Sequence, residues 1–170
     1  IFGNITKYIL NTISANYGNL FTVALSSLFM KFIPLLPAQI LLNNFISDVP
    51  NLTISTDNVD PELLHKPRRW NLKLISRFMV YFGLISSFFD LLLIFSLLFL
   101  FKAEIELFRS AWFVESVLSE IIIVFAIRTH LPFFKSKPSL WLFLASVLAI
   151  AVSVILPFTI FGQKFFEFVN

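Results

Sequence analysis

From Phe78 to Phe101 the chain reads FMVYFGLISSFFDLLLIFSLLFLF, twenty-four residues with a single charge, Asp90. As an α-helix at about 1.5 Å per residue, this run is about 36 Å long, enough to cross a bilayer with some tilt. Only helices and closed barrels satisfy the backbone inside lipid, so a membrane helix is predicted here. The whole chain has the matching composition: 58% hydrophobic and 14% charged residues. A soluble domain carries about a quarter charged residues, so the class indicated is a multi-span membrane protein. With no cysteine, disulfides, thiolate metal sites and a cysteine nucleophile are excluded. The two histidines, His65 and His130, lie beside basic residues in polar segments, which argues against a catalytic or zinc-binding histidine cluster. The net charge of +3 does not indicate nucleic acid as a partner, because the basic residues flank apolar runs. There is no phosphate-cradling glycine loop and no nucleophile–base pair, so these residues alone offer no recognisable hydrolytic mechanism. The chain opens at Ile1 without a signal-peptide pattern and is expected to be a piece of a longer protein.

The expected fold is an all-α polytopic membrane bundle. Its five transmembrane helices cover about 8–30, 32–55, 78–101, 111–127 and 140–161, with a polar loop over 56–77. The second span is expected to be broken by prolines. Pro37 and Pro50 each lack a backbone N–H and free a carbonyl one turn back if their surroundings are helical. Such breaks are tolerated at membrane depth where the freed groups line a cavity. Five spans put segments 1–7, 56–77 and 128–139 on one side, with nine basic residues against four on the other. The excess places the N-terminal end and the 56–77 loop in the cytoplasm, with the lipid bilayer as the surrounding partner.

Four acids fall at membrane depth: Asp48, Asp90, Glu115 and Glu120. Each costs about 2.5–3.5 kcal/mol at a helix centre on insertion scales. No lysine or arginine lies at the same depth, so each acid must be protonated, hydrogen-bonded, near the interface or matched by a cation. Asn44 and Asp48 are spaced i,i+4 and share a face beside the expected break. Asn16 and Asn19 share a face on the first span. These oxygen ligands, with no Cys or His, suit Mg²⁺ or Ca²⁺ rather than zinc or copper. Each residue also has a plainer reading. Asp90 serves equally as an interhelical hydrogen bonder, and so do Asn16, Asn19 and Asn43. Glu115 is expected near the outer interface, where it would be solvated, and Glu120 is expected deeper.

Three stretches carry a resemblance: SANYGN (Ser14–Asn19), LLPAQILLNNFISDVPNLTIS (Leu35–Ser55) and DNVDPELLHKPRRWN (Asp57–Asn71). Together they resemble the fifth and sixth membrane helices and following cytoplasmic loop of cation-pumping P-type ATPases, and in particular the bacterial magnesium-transporting ones. RFMVYFGLISSFFD (Arg77–Asp90), WFVESVLSEIIIVFAIRT (Trp112–Thr129) and LPFFKSKPS continue the likeness over almost the whole chain. It implies that residues 1–170 are spans five to nine of a ten-span transport domain in a prokaryotic plasma membrane. The other helices and the cytoplasmic domains of the same pump would then be its partners. The phosphorylated aspartate and the ATP–Mg site would belong to those domains, and Mg²⁺ would be the transported ion, moving into the cytoplasm. In related calcium pumps the positions matching Asn16, Asn19, Asn44, Ser47 and Asp48 lie in the ion-binding region. Asn19 stands where a calcium pump has a carboxylate, and Glu120 falls near a calcium-pump ligand where magnesium transporters often carry an amide. By the same likeness the loop with Asp57, Asp60, Lys66, Arg68 and Arg69 would couple the membrane part to the phosphorylation domain. Two other readings stay open: a Ca²⁺ or other cation pump of the same superfamily, and a stand-alone channel or subunit with no ATPase activity.

Overall fold

In the computed structural model, residues 2–58, 72–129 and 136–169 are described, and among them all regular structure is helical. The helices are α1 (Phe2–Ser27), α2 (Pro37–Thr53), α3 (Leu72–Phe95), α4 (Ile105–Ile127), α5 (Leu140–Ile155) and a short α6 (Ile160–Phe166). A 3₁₀ turn, Ile54–Thr56, extends α2, and a π-helical turn, Ser96–Leu100, extends α3. Among the described residues, three segments are long and apolar enough to cross a membrane by length and composition: Ile75–Leu100, Ile105–Ile127 and Leu140–Phe158. Of the other two expected spans, α2 is only 17 residues long and α1 is polar along one side.

The prolines explain the short α2. Residues 28–36 form turns and irregular chain, and the helix opens at Pro37. At a helix's first position the missing N–H would have had no partner, so Pro37 starts α2 rather than breaking it. The N–H of Leu36 donates to Gln39 Oε1 at 3.0 Å and fixes this entry. Pro50 does lie inside α2, and the helix continues past it to Thr53. Other boundaries move for local reasons. α4 begins at Ile105, six residues before the expected span, with Glu104 extended ahead of it. α5 gives way to a 3₁₀ turn over Leu156–Phe158, where Pro157 cannot continue the ladder. Thr159 Oγ1 then accepts from the Gly162 N–H at 2.9 Å and caps α6.

Interhelical hydrogen bonds set the topology. Asn4 Nδ2 reaches the Ser55 carbonyl at 2.9 Å, and Asn11 bonds Asn51, so α1 and α2 are antiparallel. Ser87 Oγ donates to the Gly18 carbonyl at 3.0 Å, and Thr22 Oγ1 donates to Asp90 Oδ2 at 2.8 Å, so α1 and α3 are parallel. α4 runs back antiparallel to α1, and α5 reverses again beside α2. Successive helices thus alternate in direction. Lys7, Asp57, Arg128 and Ser139 meet at one end of the bundle, while Ile33, Arg109 and Glu167 meet at the other.

α1 is inverted relative to a soluble amphipathic helix. Its buried positions include Asn4, Lys7, Asn11, Ser14, Thr22 and Ser26, while Ile5, Ile13, Leu20 and Phe21 are exposed. The apolar core gathers around α4, with Phe108, Trp112, Phe113 and Val117 at most 1% exposed. Phe168 folds back onto Phe113, with ring centroids 4.6 Å apart.

The α1–α3 crossing is close because small residues face each other, as is common between membrane helices. A Cβ added at Gly83 would sit 2.4 Å from Tyr17 Cδ1 and 3.3 Å from the Gly18 nitrogen. Moving the Tyr17 ring relieves the first contact but leaves the second, which is backbone. Gly83→Val is therefore expected to separate α1 from α3 and destabilise the folded chain by about 1–3 kcal/mol. A thermal unfolding scan in detergent checks this, with Gly3→Val, at a half-buried position, as the comparison.

Candidate functional site

A polar cleft of about 120 Å³ lies between α1, α2 and α4. Its lining is Tyr8, Thr12, Ala15 and Asn16 from α1, Asn44, Ser47, Asp48 and Asn51 from α2, and Glu120 from α4. Five of the six residues expected to handle a cation are in that lining. The sixth, Asn19, joins through Glu120, whose Oε1 accepts from Asn19 Nδ2 at 2.5 Å.

Glu120 is the buried centre of this arrangement, at 3% exposure. The same Oε1 accepts a second bond, from Asn43 Nδ2 at 2.9 Å. Asn43 Nδ2 also lies 3.2 Å from Ser116 Oγ, and Ser116 Oγ in turn donates to Asn19 Oδ1 at 3.2 Å. One carboxylate thus holds three helices together through two amides and a hydroxyl. Ser47 is buried, and its hydroxyl donates to the Asn44 carbonyl at 3.2 Å. Asn44 is half-buried, whereas Asp48 and Asn16 stand at the exposed rim. Asn16 Nδ2 donates to the Thr12 carbonyl at 2.9 Å.

Asn43 was expected to be an interhelical hydrogen bonder pointing away from Asn44, and it is one. Its partner is the site carboxylate, and its Oδ1 is buried without a partner. Thr12, Asn51 and Ser116 were not singled out. The signal was spacing: Thr12 precedes Asn16 by four residues, Asn51 follows Ser47 by four, and Ser116 precedes Glu120 by four, each on one helix face.

The remaining acids have other surroundings. Asp90 is fully buried outside the cleft and accepts from Thr22 Oγ1 at 2.8 Å and Trp112 Nε1 at 3.1 Å, pinning α3 to α1 and α4. Glu115 is about three turns along α4 from Ile105 and half-buried, not near the start of its helix, because α4 begins earlier than expected. Asp57 is buried in ion pairs with Lys7 at 3.1 Å and Arg128 at 3.5 Å. The other expected coupling residues, Asp60, Lys66, Arg68 and Arg69, lie outside the described residues.

Among the described residues, no three of His, Cys, Asp and Glu come together as a metal-binding group. The cleft instead offers two carboxylates, Asp48 and Glu120, with amide, hydroxyl and backbone oxygens. That is a hard-cation donor set of low fixed charge.

Residues 32–170 match the family model described as cation transporting ATPase, C-terminus. The chain belongs to this family. It is 44% identical over 163 residues to the magnesium-transporting ATPase, P-type 1, of Salmonella typhimurium, covering 93% of this chain. It is 42% identical over 163 residues to the protein of the same description from Escherichia coli K12, again over 93% of this chain. A calcium-transporting ATPase 1 of Bacillus cereus is 36% identical over 90 residues, half of this chain and 10% of the relative. The chain spans 18% of the length of the magnesium-transporting relatives. For this cation-transporting ATPase C-terminal region, the cleft, Asp90 and Glu115 all lie within the helical bundle.

Asp90 provides a test of structural against functional acids. Asp90→Leu leaves the Thr22 hydroxyl and Trp112 N–H buried without an acceptor, at about 1–3 kcal/mol for each orphaned group. The expected result is a clear loss of folded protein. Asp90→Asn, which keeps one acceptor oxygen, should lose less. Detergent-solubilised yield and the unfolding midpoint measure both.

Proposed function

We propose that this chain is the cation pathway of an ATP-driven magnesium transporter. The observation that carries the reading is the cleft in which Asn16, Asn44, Ser47, Asp48 and Glu120 converge, with Asn19 bonded to Glu120. The magnesium-transporting relatives support the choice of ion. ATP–Mg would be bound and hydrolysed by parts of the longer protein outside this chain. All five longer helices would span a prokaryotic plasma membrane, α1 and α2 shielded by their polar contacts, with the Lys7–Asp57–Arg128 end in the cytoplasm. Transport would run into the cytoplasm.

The cation and the amides compete for one oxygen. Asn19 and Asn43 both aim N–H groups at Glu120 Oε1, and an N–H donor cannot share that direction with a cation. A cation taken by that oxygen would have these amides turn their oxygens inward, breaking the α1–α4 and α2–α4 bonds at this level. Ion release restores them. This links occupancy to the contacts among three helices, and movement of α1 driven by phosphorylation elsewhere would act on the same bonds. Few fixed charges suit Mg²⁺, which dehydrates reluctantly and keeps several waters. The loop beyond Asp57, with Asp60, Lys66, Arg68 and Arg69, would dock on the phosphorylation domain.

The test is Mg²⁺ uptake by the full-length protein. Asp48→Asn is expected to abolish uptake, by more than about a hundredfold, which corresponds to nearly 3 kcal/mol. Membrane insertion should remain normal. Retained uptake would make Asp48 a structural residue and overturn this assignment. The second reading, a calcium pump, is favoured by the Glu120 carboxylate and by the Bacillus relative. Ca²⁺ uptake without Mg²⁺ uptake would establish it in place of the first.

A further inference from the structure

The three helices that meet at Glu120 meet again at one end of the bundle, and there they are joined by charges. Lys7 is on α1, Asp57 follows the 3₁₀ extension of α2, and Arg128 closes α4. Lys7 Nζ lies 3.1 Å from Asp57 Oδ2, and Arg128 Nη1 lies 3.5 Å from the same oxygen. Their side chains are 6%, 0% and 1% exposed, for Lys7, Asp57 and Arg128 respectively. The other Asp57 oxygen, Oδ1, accepts from the Ser139 N–H at 3.0 Å, which brings in the start of α5. Lys7 also donates to the Asn58 carbonyl at 2.7 Å, and Arg128 Nη2 donates to the Ser136 carbonyl at 2.5 Å.

We infer that Lys7, Asp57 and Arg128 are positioning residues for the Glu120 network, fixing the axial register and rotation of α1, α2 and α4. The inference rests on the reading of the cleft as a cation site. A helix held at one point can still slide and turn, whereas a helix held at two points cannot. Asn19 is twelve residues along α1 from Lys7, about 18 Å, and Glu120 is eight residues along α4 from Arg128, about 12 Å. Small rotations at the charged end therefore displace Asn19 and Glu120 relative to one another. α1 and α2 have an intermediate tie between Asn11 and Asn51. Arg128 is the arm that brings α4 into the clamp, so it has the largest predicted effect.

Truncating one member leaves a buried charge unpaired, which alone can unfold the chain. The decisive variant removes all three charges at once: Lys7→Gln, Asp57→Asn and Arg128→Gln. Full-length protein is reconstituted into vesicles with MgATP confined to the ATP-binding face. Uptake is then measured against Mg²⁺ concentration on the opposite face. The triple variant should raise the half-saturating Mg²⁺ concentration about tenfold, the scale of one coupled network. Its rate at saturating Mg²⁺ should change less. Arg128→Lys keeps the charge but shortens the reach, and should shift half-saturation in the same direction by a smaller factor. If the triple variant fails to fold, Arg128→Lys decides alone. Unchanged half-saturation in folded protein overturns the inference, and so does a fall in maximal rate at constant half-saturation. Glu120→Gln in the same assay separates the two failures. If it shifts half-saturation and the clamp variants do not, only the clamp is wrong. If Glu120→Gln shifts nothing, the cation-site reading fails and the clamp fails with it.

Discussion

The buried face of α1 is polar, and the bundle is assembled around the partners that face requires. Reading down the helix, Asn4 bonds the Ser55 and Asp57 carbonyls, Lys7 pairs with Asp57, and Asn11 bonds Asn51. Further along, the Gly18 carbonyl accepts from Ser87, Asn19 bonds Glu120, and Thr22 bonds Asp90. These partners belong to α2, α3 and α4, so α1 contacts each of them through polar groups. In apolar surroundings a polar group left without a partner costs several kcal/mol, more than a good contact gains. The pairing therefore specifies register: sliding α1 by one turn would orphan several groups at once. Ile5, Ile13, Leu20 and Phe21 of α1 face outward.

The buried acids show how the same cost is met in different ways at different depths. Asp90 has neutral donors, a hydroxyl and an indole, with the Glu115 carboxyl beside it. Glu120 has amides, which can present either an N–H or an oxygen to what lies beside them. Asp57 has full positive charges, and it is at the end of the bundle. Of these three acids, Glu120 is the one whose partners can reverse polarity in place.

Much of this was legible from residue types and spacing. The three apolar helices follow from runs with few charges. The convergence of Asn16, Asn44, Ser47, Asp48 and Glu120 followed from shared faces and the family likeness. Three things were hidden. Pro37 looked like a break, but a proline's effect depends on where the helix begins, and residues 28–36 do not continue one. Asn43 lies off the Asn44–Asp48 face, so only the position of α4 reveals that it reaches Glu120. Arg128 counted as a marker of membrane sidedness, and its burial beside Asp57 depends on contacts 71 residues apart in sequence. Each is a tertiary fact to which local pattern contributes little. The stripe along α1 was within reach: Asn4, Lys7, Asn11, Ser14, Gly18 and Thr22 repeat at three- and four-residue intervals, as a buried face does.

Among the described residues, the buried charges at the charged end of the bundle are two cations against Asp57, an excess of one positive charge in a place with almost no solvent. The end of α4 offsets part of it: Arg128 is the C-cap residue, where the last carbonyls carry partial negative charge. The Asp57 carboxylate is held in addition by the N–H of Ser139, the N-cap residue of α5, where the partial charge is positive. The carbonyls of Asn58 and Ser136 take the remaining donors of Lys7 and Arg128. A triad of this kind is stable where helix termini converge and would be far costlier at mid-helix, where no such partial charges are available. The charged tie is thus restricted to the end of the bundle, and ties made by uncharged donors are left to hold its middle.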